Sequence, residues 1–409
     1  MNVLFLTIGS IADAQGHSIY LDLLREFRDR GHTVYCVSPN ERKLKKPTAY
    51  TVESGMHLLR VKVGNLQKCG MIEKGISTLL LEGQYKAAVR KYFRGVKFDL
   101  VLYSTPPITL CGVIRYIKKR DRAETYLMLK DIFPQNALDM GILRKSGWRG
   151  ILYRFFRKKE KKLYALSDRI GCMSQANVDY VLKHNPEIAS EKVEIFPNSI
   201  EFFDKSITEG ERHLIREKYG IPQDKTVFVY GGNLGRPQGI LFLIDCLRAQ
   251  KANEAAFFLI VGAGTEYARL EAFLADEGPA NVALFKHLPK EDYDALVAAC
   301  DVGMIFLDHR FTIPNFPSRL LGYMQAGLPV FACTDPNTDI GKVIVDGGFG
   351  WWCESNSVEG FVQKTEEILR SDLAALGENA KKYLLENYTV QKGYSIICLN
   401  DAGAQNEKV

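Results

Sequence analysis

The sequence predicts an α/β protein with two Rossmann-like doubly wound domains facing across a cleft. Three observations predict this fold class. Apolar runs of strand length alternate with segments of helical period, the alternation restarts near residue 226, and 409 residues exceed what a single core organises.

The first array opens with "NVLFLTI", a continuous apolar run suited to a strand buried on both faces. "SIYLDLLREFRDRGH" follows, with Ile19, Leu23, Leu24 and Phe27 at helical spacing and Gly31 as its stop. "TVYCVS" is the next strand. "FDLVLYS" and "ETYLMLK" continue the sheet with the helical "TLCGVIRYIKKRD" between them, and "RIGCMS" and "VEIFPNS" close it. The charged stretch at 199–225, with Gly220 and Pro222, reads as a linker and a leading helix. The second array runs through "TVFVYGG", "ILFLIDCLRAQ", "AAFFLIVGAG", "EYARLEAFLADEG", "NVALFKHL", "KEDYDALVAAC", "DVGMIFLD", "LPVFACTD" and a final helical run from "SVEGFVQKTEEIL". The expected domains are 1–200, 201–385 and a tail, 386–409, that returns to the first domain.

Composition bounds the function. A hydrophobic share of 46% with 25% charged residues is that of a soluble globular chain. The net charge of +6 suits an anionic ligand or a membrane surface as well as ordinary surface lysines, and no nucleic-acid partner is expected. The nine cysteines are scattered and form no C-x-x-C, so they are expected as small buried hydrophobes in a reducing cytoplasm. The seven histidines have no ligand spacing, and no metal is expected. The N-terminus lacks a basic signal-peptide region, and no apolar run reaches transmembrane length.

Three stretches carry candidate chemistry. "GGNLGRPQG", 231–239, follows a strand and opens a helix. Gly232 and Gly235 let the backbone turn tightly and approach a ligand, and Arg236 can grip a diphosphate; a plain tight turn is the alternative. "VGAGTEYARLEAF", 261–273, has Gly262 and Gly264 but no third glycine, so close packing or backbone approach to a ligand is favoured over a nicotinamide site. In "PSRLLGYMQAGLPVFA", 317–332, Ser318 is expected to cap a helix that Gly327 ends. Arg319 then opposes the helix dipole at a cost of about 0.3–1 kcal/mol unless an anion compensates; pairing with a nearby carboxylate is the alternative.

These motifs, with "LPKEDYDALVAACDVGMI" and "DGGFGWWCESNSVEGF" in order, resemble the nucleotide domain of retaining family 4 glycosyltransferases with the GT-B fold, of the bacterial envelope or capsular polysaccharide type. "RGHTVYCVSP" and "LKDIFPQ" extend a looser resemblance over the first half. The resemblance implies a donor site made by Gly232, Asn233, Gly235, Arg236, Gln238, Gly262, Pro317, Ser318, Arg319 and Leu320, with the arginines on the diphosphate and His287 and Leu288 facing the base. It implies catalytic roles for Asp131, Lys130 and Arg236, with Lys130 where many relatives carry histidine, and places Gly16 and His17 on the acceptor side. Pro314 and Gly322 stand where many members carry paired glutamates, the second of which holds the donor ribose.

The implied reaction moves a sugar from a nucleotide-sugar donor, with uridine as the family's base, to a saccharide or polyprenyl-linked acceptor, with retention. No cofactor is expected beyond the nucleotide-sugar substrate, and without an Asp-x-Asp in the right context fixed cationic donors are expected to replace a metal. A sugar-nucleotide epimerase and a non-catalytic partner protein are the alternatives. Residues 144–163 hold nine basic residues and one acid among apolar positions at near-helical spacing. Trp148, Arg149, Arg154, Phe155, Arg157 and Lys158 are thus expected at an anionic membrane surface on the cytoplasmic face, or else the apolar stripe packs on the sheet.

Overall fold

A computed structural model describes residues 1–67 and 69–405. The chain forms two compact units, one of residues 1–200 with 390–409 and one of Glu201–Thr389. The sequence boundary at 385 falls inside a helix that continues to Asn387, so the turn back to the first unit comes a few residues later.

In the first unit the elements run β1 (Asn2–Leu6), α1 (Ile19–Asp29), β2 (Thr33–Glu41), β3 (Ala49–Glu53), β4 (Met56–Val63), α2 (Met71–Tyr92), β5 (Leu100–Ser104) and α3 (Cys111–Asp121). They continue through β6 (Glu124–Leu129), α4 (Gln135–Asp139), α5 (Gly147–Leu166), β7 (Arg169–Cys172), α6 (Gln175–His184) and β8 (Val193–Ile195). The sheet order is β3-β4-β2-β1-β5-β6-β7-β8, parallel except for β3. β1 is wholly apolar from Val3 to Leu6 because it is covered on both faces, as its sequence implied.

The second unit contains α7 (Glu209–Lys218), β9 (Thr226–Asn233), α8 (Ile240–Ala249), β10 (Ala256–Ala263), α9 (Tyr267–Glu277), β11 (Val282–Phe285), α10 (Lys290–Ala298) and β12 (Val302–Phe306). It ends with α11 (Arg319–Gln325), β13 (Val330–Thr334), α12 (Ile340–Asp346), β14 (Gly350–Glu354), α13 (Val358–Ile368) and α14 (Leu373–Asn387). Its six strands are all parallel, in the order β11-β10-β9-β12-β13-β14. Phe228, Phe258, Phe331 and Phe361 pack across one face, with Phe331 and Phe361 centroids 5.1 Å apart. Arg216 of α7 is buried, donates to the carbonyls of Ala299, Pro222 and Lys225, and pairs with Asp301 at 2.6 Å. That network fastens the leading helix to the start of β12.

The last helix, α15 (Val390–Gln405), packs on α1. Arg169 donates to the carbonyls of Ile396 and Ile397, and the His32 ring shares a 2.8 Å hydrogen bond with Tyr394.

Candidate functional site

The strand order of the second unit reverses at β9, which lies between β10 and β12. In an open parallel sheet the loop leaving such a strand borders a crevice at the carboxyl edge. The loop there is Gly231–Gly239, the first glycine-rich stretch of the sequence. Gly232 has φ +130°, a conformation that side chains rarely adopt. A Cβ there would also come within 3.4 Å of the Arg319 guanidinium. Asn233 Nδ2 and the Gly235 amide both donate to Gln238 Oε1, at 3.0 and 3.3 Å, so Gln238 closes the loop from within.

Arg319 is half-buried and its guanidinium lies over the Tyr230 ring, 4.5 Å from the centroid. Nη1 is fully enclosed and has no hydrogen-bond partner, and Arg319 forms no ion pair among the described residues. The alternative of a neighbouring carboxylate is therefore not what the structure shows. Burial opposes the charge, but Tyr230, Tyr323 and Tyr293 outweigh it and hold the pKa above the usual arginine value. Tyr323 also accepts from the Gly231 amide at 3.1 Å and donates to the Met304 carbonyl at 3.2 Å. One ring thus ties the glycine loop to β12 beside the arginine.

Arg236 is 65% exposed and sits 3.5 Å from Glu266, which also pairs with Arg269 at 2.8 Å. Glu266 was visible in the sequence only as the residue breaking a glycine pattern. Its buried backbone amide donates to the Leu234 carbonyl, which explains why it faces this loop.

Several expectations need correction. Ser318 has helical backbone angles and makes no capping hydrogen bond. The amide of Leu320 already donates to the Pro317 carbonyl at 3.3 Å and its side chain is buried in the core; Pro317 is half-buried beside it. Gly262 makes room for backbone, not ligand: a Cβ there would lie 1.9 Å from the Gly232 carbonyl oxygen. β11 stops at Phe285, leaving His287 exposed and Leu288 half-buried in the following loop. Gly322 lies on α11 with nothing within 4 Å of an added Cβ, so a side chain could start from this position without a clash.

In the first unit the reversal falls at β1, and the loop after it carries Gly16 and His17. Arg25 fixes that loop by donating to the Gly16 carbonyl at 2.8 Å and contacting His17 Nδ1 at 3.1 Å. Lys130 and Asp131 follow β6, and both of their amides donate to Thr105 Oγ1. Asn136 Nδ2 donates to both Asp131 carboxylate oxygens, at 2.8 and 2.7 Å. Burial nevertheless pushes Asp131 up to about 6. Burial lowers Lys130 to about 7, its amine lying over the Phe196 ring and donating to the Phe196 carbonyl at 3.3 Å.

The amphipathic segment folds as α5 and its apolar residues divide between two faces. Phe156 packs edge-on against Phe133, with centroids 5.1 Å apart. Trp148, Ile151 and Phe155 stay outside, Trp148 at 66% exposure, beside the exposed cations Arg154 and Lys158; the Arg149 guanidinium lies over the Trp148 ring. Arg157 is a correction: it turns inward, pairs with Glu160 at 2.5 Å and donates to Asn185 Oδ1 at 2.6 Å. Among the described residues no helix is long and apolar enough to cross a membrane.

Comparison with known proteins places both units in a family. Residues 18–202 match the model for Glycosyltransferase Family 4, and residues 211–383 match that for Glycosyl transferases group 1. The chain is 27% identical over 308 residues to WbjE of Pseudomonas aeruginosa, named a glycosyltransferase, covering 74% of each chain. It is 24% identical over 278 residues to WcaI of Escherichia coli K12, whose name assigns it to colanic acid biosynthesis, covering 67% of each. Among solved structures, sucrose-phosphate synthase of Thermosynechococcus elongatus matches over 100% of both chains with TM-score 0.76 at 13% identity. Anabaena HepE, solved with UDP and glucose, matches over 98% of this chain and 100% of its own with TM-score 0.69 at 16% identity. WaaG, a glycosyltransferase involved in lipopolysaccharide biosynthesis, matches over 97% and 99% with TM-score 0.65 at 17% identity. The two parallel α/β units are thus those of the GT-B fold.

Proposed function

Because the chain belongs to the glycosyltransferases of group 1 and family 4, we propose that it moves a hexose from a UDP-sugar to a saccharide or lipid-linked acceptor in envelope or exopolysaccharide synthesis, with retention of configuration. The observation that carries the reading is the enclosed, unpartnered Nη1 of Arg319 beside the Gly232 backbone. A buried cation without a counter-ion is costly unless a ligand anion completes the site. The UDP and glucose bound to HepE support uridine as the base, and the relatives' names support an envelope product.

Loss of the nucleotide diphosphate puts negative charge on the leaving oxygen. Arg319 and Arg236 supply fixed positive charge there without a metal, and the dry surroundings of Arg319 strengthen it. Diphosphate would displace Glu266 from Arg236, exchanging a single carboxylate for a doubly charged partner. Asp131 orients an acceptor hydroxyl, with Lys130 beside it. The exposed apolar and basic face of α5 rests on anionic lipid at the cytoplasmic side of the membrane, bringing the enzyme to a lipid-linked acceptor.

A thermal-shift screen of nucleotide sugars, followed by acceptor-dependent nucleotide release, tests the reading. UDP-sugars are expected to raise the melting temperature of the wild type and not of Arg319→Ala. Pro314 and Gly322 favour a second reading, a non-catalytic partner protein. Absence of any nucleotide-sugar binding by calorimetry would select it.

A further inference from the structure

Within the first unit a cavity of about 230 Å³ opens between α4, α5 and α6, bordered by Gln135, Tyr153, Arg157, Glu160, Tyr180 and His184. No motif in the sequence pointed to it, because its residues come from three helices. Its charge is balanced internally: Arg157 pairs with Glu160, and Tyr164 donates to Glu160 Oε1 at 2.8 Å. An anion or cation would find no net opposite charge there. The walls are aromatic, with Tyr180 stacked on His184 at 3.9 Å between centroids. The Tyr180 hydroxyl makes no hydrogen bond among the described residues, while the Tyr153 hydroxyl donates to Gln135 Oε1 at 3.1 Å and keeps its lone pairs. Aromatic faces, an internally paired carboxylate and spare hydroxyls suit a neutral ring bearing several hydroxyls. The volume lies below the ~300 Å³ at which drug-sized sites begin and matches one sugar ring better than a whole nucleotide. The cavity also shares α4 with Asp131, since Gln135 lines it while Asn136 holds the Asp131 carboxylate.

We propose that this cavity is a saccharide subsite taking one neutral hexose ring of the acceptor, an inference that rests on the transferase reading. Saturation-transfer NMR on the full chain with glucose, galactose and N-acetylglucosamine tests it, with UDP thermal shift measured in parallel. At least one sugar is expected to receive saturation. Tyr180→Ala should weaken that sugar about tenfold, the worth of an aromatic contact. Tyr180→Phe, which keeps the wall and removes the hydroxyl, should weaken it less, and the UDP shift should stay intact in both variants. Saturation of no sugar, or equal saturation in wild type and Tyr180→Ala, overturns the proposal. A sugar signal sensitive to Tyr180 in a protein that UDP does not shift would uphold the subsite and remove the donor assignment alone.

Discussion

Replacing Arg319 by methionine separates a ligand-binding arginine from a structural one, because the two roles predict opposite signs. In the free protein the guanidinium has one ring contact, Tyr230 at 4.5 Å, with Tyr323 and Tyr293 also favouring its charge, and one enclosed donor with no partner. Losing the cation–π contact costs about 1 kcal/mol. Removing the unsatisfied buried donor returns about 1–3 kcal/mol, and the methionine stem refills most of the space. The net expectation is a melting temperature equal to or above that of the wild type. With donor present, the same change removes two charge-assisted hydrogen bonds worth at least about 1.5 kcal/mol each, a combined loss of about 3 kcal/mol, or roughly 150-fold in Kd for UDP. Calorimetry and differential scanning fluorimetry on the same preparations read both. A clear drop in melting temperature with UDP affinity unchanged would refute the reasoning, since it would make Arg319 part of the scaffold.

Gly322→Glu should tighten UDP binding severalfold without loss of stability, since an added Cβ meets nothing within 4 Å and glycine costs a helix about 1 kcal/mol; calorimetry checks it. The transfer rate should fall as pH drops through about 6, where Asp131 takes up its proton, and Asp131→Asn should be slower and lack that step. Asp131 is raised from 3.8 to about 6, so the folded state holds the proton more tightly and loses stability as pH rises across that window. Asp131→Asn should lose that pH dependence of the melting temperature, even though its amide nitrogen would sit against Asn136 Nδ2, and melting curves across the window check it. Trp148→Ala with Phe155→Ala should reduce co-sedimentation with phosphatidylglycerol vesicles by about tenfold, and leave UDP affinity unchanged.

The alternation of apolar strands and periodic helices made both sheets legible, because buried parallel strands write themselves as continuous runs such as "NVLFLTI". The stretch from 49 to 92 was not legible. β3 is half-exposed and edge-paired, with burial alternating along Ala49–Glu53, and α2 has almost no amphipathic bias, so neither carries a strong period. The glycine loop and Arg319 were singled out because closely spaced glycines after a strand and a cation in a first helical turn are local signals. Glu266, Tyr293 and Tyr323 were not, because their roles depend on contacts between separate β–α loops. Ser318 misled for a related reason: its residue type suits a cap, but the preceding Pro317 leads into a tight turn whose backbone is already helical. Arg157 sits in a run of cations where only the fold decides which one turns inward.

The most direct test of the central claim is the crystal structure of the complex with UDP. Arg319 Nη1, enclosed and without a partner in the free protein, should lie about 2.7–3.2 Å from a phosphate oxygen, with Arg236 released from Glu266 toward the same diphosphate. UDP bound with Nη1 still unpartnered and Arg236 still paired to Glu266 would contradict the account.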